Sequence, residues 1–125
     1  MAIPSDHIIA NFVQPYYTKF AADRAGFVNE YYRTDSTFTF ESNTAQGVDA
    51  IRAQWSVEHL QTAKLQITTV NAQQSVDGSI IVLVTGLMQL TETDAPMNFA
   101  HSMLLKTDAE QKPYCFNDMF KLVYG

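Results

Sequence analysis

Apolar residues recur at spacings of three and four through the first part of the chain: Ile8, Ile9, Phe12, Val13, Tyr16, Tyr17 and Phe20. That period predicts an amphipathic helix, with Ser5 or Asp6 as its cap. Pro15 falls inside the pattern. It removes a backbone donor, so the helix is predicted to bend or split there. A second helix is predicted from about 23 to 32, where Phe27 and Tyr31 stand four apart, and a third over "GVDAIRAQWSVEHLQ", with Ile51 and Trp55 on one face. Between these two helices "STFTFES" alternates strictly, with Phe38 and Phe40 on one face of a strand. After the third helix come "LQITTVNAQ", an Asp-Gly turn signal in "SVDGS", and the long strands "SIIVLVTGLMQL", "FAHSMLLK" and "YCFNDMFKLVY". Gly86, inside one of them, predicts a bulge or bend that curves the sheet.

Helices first and a meander last is an α+β pattern: a curved, mostly antiparallel sheet with three helices on one face. Its concave side would enclose an apolar pocket. The final strand is predicted to hold Tyr114, Phe116, Asp118, Phe120 and Leu122 on one face and Cys115, Asn117, Met119 and Val123 on the other. Neither face is polar throughout, although an antiparallel sheet with one wet face should alternate. A second subunit covering the outer face, and so a homodimer joined sheet to sheet, is the expectation.

Composition narrows the class. The 125 residues predict one domain, 1–125, large enough to bury a core. A net charge of −5 argues against nucleic acid, which needs a basic footprint, and fits a basic protein partner. Cys115 is the single cysteine, so no internal disulfide forms and a reducing compartment is expected. The opening "MAIPSDHIIANF" has no signal-peptide character, and no run approaches the roughly 20 apolar residues of a membrane span.

Chemistry-bearing motifs are sparse. The phosphate-loop, dinucleotide, zinc-helix and nucleophile-elbow patterns are all missing. His7, His59 and His101 lack ligand spacing, so neither a metal nor a cofactor is expected. Asp118 and His101, on neighbouring predicted strands, are the one acid/base pair a small cavity enzyme would use. Glu41 directly follows Phe40 at a strand end, and Glu92 and Asp94 lie in an acidic loop. Met97, Met103 and Met119 suit a core or an adaptable pocket.

The segments "NFVQPYYTKFAADR", "TFTFES", "QGVDAI", "QITTVNAQ" and "CFNDMFKL", in this order, resemble the nuclear transport factor 2 family over essentially the whole chain. The resemblance implies a cone-shaped fold, a homodimer and a binding protein rather than an enzyme. It implies import of the GDP-bound small GTPase Ran into the nucleus, with an aromatic of Ran entering the cavity mouth and basic residues of Ran pairing with rim carboxylates. It also implies binding to the phenylalanine-glycine repeats of nucleoporins, and residence in cytoplasm and nucleus and at the nuclear pore complex. Carried over by position, Phe40, Glu41, Glu92 and Asp94 form the rim, and Leu65, Met97, Met119 and Phe120 line the cavity. Three positions depart from the family pattern. Ser5 replaces an aromatic that grips the pore repeats, which weakens that site. His59 and Leu60 replace a proline-phenylalanine pair. Leu65 replaces a cavity histidine, which makes the pocket more apolar. The alternative readings are a scaffold subunit of the same fold, as in messenger-RNA export or stress-granule proteins, and a small cavity enzyme.

Overall fold

Pro15 does not break the first helix; it changes its winding. The structure, a computed structural model, describes residues 5–123. Helix α1 (Ser5–Ile8) runs into a π-helical turn, Ile9–Val13, and then into α2 (Gln14–Ala22). The Gln14 amide donates to the Ile9 carbonyl, five residues back. Pro15 thus falls in the first turn of α2, where an amide donor has no obligatory partner. Asp23 then turns the chain, and its carboxylate accepts from the Gly26 amide to cap α3 (Arg24–Tyr31). The predicted third helix is two pieces, α4 (Val48–Trp55) and α5 (Glu58–Gln61).

The six strands are β1 (Thr37–Phe40), β2 (Asn43–Gln46), β3 (Lys64–Gln74), β4 (Ile80–Gln89), β5 (Met97–Thr107) and β6 (Pro113–Val123). Their order across the sheet is β2-β1-β6-β5-β4-β3. β1 pairs parallel with β6, and every other pair is antiparallel. The sheet is therefore mixed, curved and open, with the helices on one face.

Register sorts the side chains into rows. One row under the helices runs Phe38, Asp118, Met103, Val82 and Ala72. The next runs Phe40, Phe120, His101, Val84 and Val70. Two irregularities set this register. β3 bulges at Thr68, opposite Gly86, where a β-carbon would lie 2.1 Å from the Gln66 carbonyl oxygen. Glycine is required there by that approach, and the bulge itself lies on the neighbouring strand. In β6 the pairing skips Phe116 between Asn117 and Cys115. That extra residue overturns the predicted faces of the strand's first half: Cys115 is fully buried under the helices, and Phe116 is on the open face, where the Lys106 ammonium lies 4.3 Å from its ring centre.

The helices and the sheet are joined by a buried polar cluster. The Asp118 carboxylate accepts from the hydroxyls of Tyr32 and, at 3.4 Å, Tyr16, and these two hydroxyls are 2.7 Å apart. His101 Nε2 donates to the other carboxylate oxygen. With Nε2 protonated, Nδ1 accepts from the Tyr17 hydroxyl at 2.5 Å. Asp118 and His101 are each 1% exposed, so the carboxylate depends on these donors in place of water.

The opposite face is bare in the single chain. Ile81, Leu83, Met119 and Val123 are between 44% and 58% exposed, and Ile81 and Met119 border a hollow of about 360 Å³ that Thr37, Thr39, Ser102 and Leu104 also line.

Burial, and next the negative charge of Asp118, push the hydroxyls of Tyr16, Tyr17 and Tyr32 well above their usual ionisation range near 10. The unfolded chain gives up these protons near pH 10 and the folded chain does not. Their contribution to stability is therefore complete below that pH and is lost as pH rises. In an alkaline titration followed by phenolate absorbance, these three of the six tyrosines should ionise only together with loss of the far-ultraviolet dichroism. Smooth ionisation of all six with the fold intact would contradict the cluster.

Candidate functional site

Because β1 runs parallel to β6 and the other long strands alternate, five chain segments meet at one end of the sheet. They are the end of β1 (Phe40, Glu41), the end of β6 (Lys121, Leu122), the start of β5 (Met97), the β4–β5 loop with Glu92 and Asp94, and the start of β3 (Lys64, Leu65). Met97, Met88 and Leu65 form the last inward row of the meander. Met97 and Leu65 are half-buried at its edge.

Behind this edge lies an aromatic stack. Phe120 is sandwiched between Phe99 at 4.7 Å and Phe40 at 5.4 Å, ring centre to ring centre, with Trp55 edge-on at 6.0 Å. Trp55 in turn stacks on Phe38 at 4.8 Å. Such offset and edge contacts each add roughly 0.5–1.5 kcal/mol beyond area burial. The side chains fill the inner part of the concave face, and Phe40, at 8% exposure, brings the stack to the mouth.

Glu41 has a more exact placement than its sequence suggests. Its backbone is left-handed, with φ of 57°, uncommon for a residue with a β-carbon. Its amide donates to the Phe120 carbonyl at 3.0 Å, and its Oε1 accepts from the Leu122 amide at 2.8 Å. In a parallel ladder those two bonds would go to one residue's own amide and carbonyl, flanking Lys121. The Glu41 side chain supplies the acceptor instead and carries the ladder one step beyond the end of β1. Oε2 stays toward solvent, 3.5 Å from the Lys121 ammonium.

The acidic loop is held from below. The Gln89 side-chain amide donates to the carbonyl of Asp94 at 2.8 Å and to that of Glu92 at 3.4 Å. Glu92 lies 3.8 Å from the Lys64 ammonium, both side chains largely in water. The wall between helices and mouth is fixed by Arg24, whose guanidinium donates to the carbonyls of Leu60 and Ala63 and stacks 3.6 Å over Phe20. Burial lowers its ionisation somewhat from the usual arginine range.

Of the rim and cavity positions expected from the sequence, Phe40, Glu41, Leu65, Glu92, Asp94, Met97 and Phe120 lie on segments that share this end of the sheet. Met119 faces the other way. It alternates with Asp118 and Phe120, which point under the helices, so it is on the open face, 58% exposed. The Ser5 expectation, and the departure at His59, concern side chains outside the described residues. Leu60 is 1% exposed and belongs to the core. Among the described residues no three His, Cys, Asp or Glu side chains group as a metal site, and no helix is long and apolar enough to cross a membrane.

The model of the nuclear transport factor 2 domain matches residues 8–122. The chain belongs to the nuclear transport factor 2 family. Among its relatives, nuclear transport factor 2 of Emericella nidulans is 36% identical over 119 residues, 94% of each chain. The protein of the same name from Saccharomyces cerevisiae is 34% identical over 126 residues, covering 100% of this chain and 99% of its own. In solved structures, nuclear transport factor 2 of Cryptosporidium parvum superposes with a TM-score of 0.83 at 30% identity, over 94% of both chains. Yeast UBP3-associated protein BRE5 reaches 0.80 over 98% of this chain and 99% of its own at 20% identity, a likeness of fold. The relatives are named as transport factors, and they support a role in nuclear transport.

Lys121, Lys64 and Arg24 make contacts at this end of the sheet that the sequence did not signal. A lysine next to an aromatic strand residue gives no sign of which carboxylate it will face. The spacing from Arg24 to Leu60 spans two helices and a hairpin.

The ladder role of Glu41 separates from its charge. Glu41→Gln keeps an oxygen acceptor for the Leu122 amide, so urea unfolding should shift by less than about 0.5 kcal/mol. Glu41→Ala leaves that half-buried amide without a partner and should cost about 1–2 kcal/mol. Equal losses for both variants would show that charge, not the acceptor, holds Glu41 in place.

Proposed function

We propose that this protein is a nuclear transport adaptor, and not an enzyme, that carries the GDP-bound form of Ran into the nucleus. The observation that carries the reading is the end of the sheet where an apolar patch meets a carboxylate rim. Leu65 and Met97, half-buried, and the edge of Phe40 bring apolar surface to this end, and Glu41, Glu92 and Asp94 lie on segments that end there. An aromatic side chain of the partner buried there contributes about 2 kcal/mol or more. Its basic neighbours pair with the rim, and the net charge of −5 favours approach of such a partner. The family relatives named as nuclear transport factors support the same reading.

Two further parts complete the proposal. Phenylalanine-glycine repeats of nucleoporins bind, weakly because of Ser5, so the protein shuttles between cytoplasm and nucleus through the nuclear pore complex. The open face of the sheet pairs with that of a second copy. Met119 then belongs to the dimer contact and not to the Ran site. Against catalysis stands the fate of Asp118 and His101, the only acid/base pair the sequence offered. Both are buried, and their hydrogen-bonding groups are occupied by tyrosines or by each other.

In a pull-down at physiological salt, the protein should capture Ran loaded with GDP and leave Ran loaded with GTP. Capture of neither form, or of both equally, would overturn the Ran assignment. Light scattering at micromolar concentration should give twice the 14.1 kDa chain mass. Leu83→Asp, which places a charge amid the exposed apolar residues, should return it to one chain. A wild-type protein with the mass of one chain would remove the dimer from the account.

A further inference from the structure

Two of the three rim carboxylates, Glu41 and Glu92, already face a lysine in the unbound protein. Glu41 is more sheltered than its lysine: the side chains are 26% and 64% exposed. One of its oxygens is committed to the Leu122 amide, which leaves Oε2 alone to receive a partner's cation. The Lys121 ammonium is already 3.5 Å from that oxygen. The backbone of Lys121 is fixed here, because its chain neighbours Phe120 and Leu122 are both anchored under the helices, 1% and 9% exposed, so its side chain always starts within reach of Glu41. Its ammonium is therefore held at high local concentration beside Glu41.

We propose that Lys121 is a built-in competitor at the partner site. A basic residue of the partner reaches Glu41 by exchanging with Lys121, and after the exchange the two cations remain close and repel. Lys121 thereby weakens binding and sets how well a partner must place its own cation. The inference rests on the reading above, that a partner brings a basic residue to Glu41. Lys64 does the same at Glu92 to a smaller degree, since that pair is exposed on both sides, 72% and 88%. A guanidinium, which can offer two parallel donors to a carboxylate, displaces the single ammonium better than another lysine does. The competitor therefore favours partners with arginine at this contact.

The test is a set of charge-matched variants titrated with GDP-loaded Ran at physiological salt, each checked for unchanged mass by light scattering. An exposed or half-exposed ion pair is weak, so Lys121→Gln should tighten binding by roughly two- to fivefold. Lys121→Arg, which keeps the charge and the pair, should bind no tighter than wild type. Lys64→Gln should gain less than Lys121→Gln. Lys112→Gln removes the same charge at the opposite end of the sheet, beside Glu110, and should change little. Binding by wild type with Lys121→Gln unchanged or weaker, or with equal gains for Lys121→Gln and Lys112→Gln, overturns this inference alone. No binding by wild type overturns the Ran reading and the inference with it.

Discussion

A carboxylate sealed between two layers must find donors on both sides, and Asp118 does. Tyr16 reaches it from α2, Tyr32 from the end of α3 and His101 from β5, while Tyr17 closes the far side of the imidazole. Removing one member of such a buried charged arrangement typically costs about 3–5 kcal/mol, because the rest is left uncompensated. The cluster therefore tolerates one placement of the helices on the sheet and one register of β5 against β6. β6 carries that frame to β1: the parallel pairing that sets Phe38 beside Asp118 stacks Phe40 on Phe120 one inward step along. Two steps along, it brings the Leu122 amide to Glu41. The geometry of the mouth depends on a group buried deep behind it.

The same commitment keeps Asp118 and His101 away from any substrate. An acid/base pair needs access to substrate and a proton to move. Here the hydroxyls and the imidazole are spent on holding Asp118, and aromatic rings fill the space in front of it. The surface offers two other features: apolar residues beside acids at one end of the sheet, and exposed apolar residues around a hollow on its back. Lys121, on the same face as Met119 and Val123 by alternation, stands where the two surfaces adjoin.

Much of this was legible in the sequence. Helical spacing marked the helices, and alternation placed Phe38 and Phe40 together. The adjacency of Phe40 and Glu41 marked the end of β1. What escaped was set by pairing partners far away in the chain. β2 reads "NTAQ", too polar to show as a strand, and exists because β1 lends it a ladder. The parallel pairing of β1 with β6 leaves no local trace. The bulge at Phe116 swaps the inside and outside of half a strand, because period-two alternation cannot survive one extra residue. Met119 was assigned to the pocket through the resemblance, and alternation with Asp118 and Phe120 puts it on the other face. The sequence signal at Gly86 was real, but the bulge it accommodates belongs to β3.

Hydrogen–deuterium exchange of the protein, alone and saturated with GDP-loaded Ran, tests the central claim most directly, because it reads both surfaces at once. The account gives slower exchange on binding at Phe40 and Glu41, at Lys64 and Leu65, and through the loop from Glu92 to Met97. The open face at Ile81, Leu83 and Met119 keeps its unbound rates. Protection confined to that open face, with the sheet end unchanged, would contradict it.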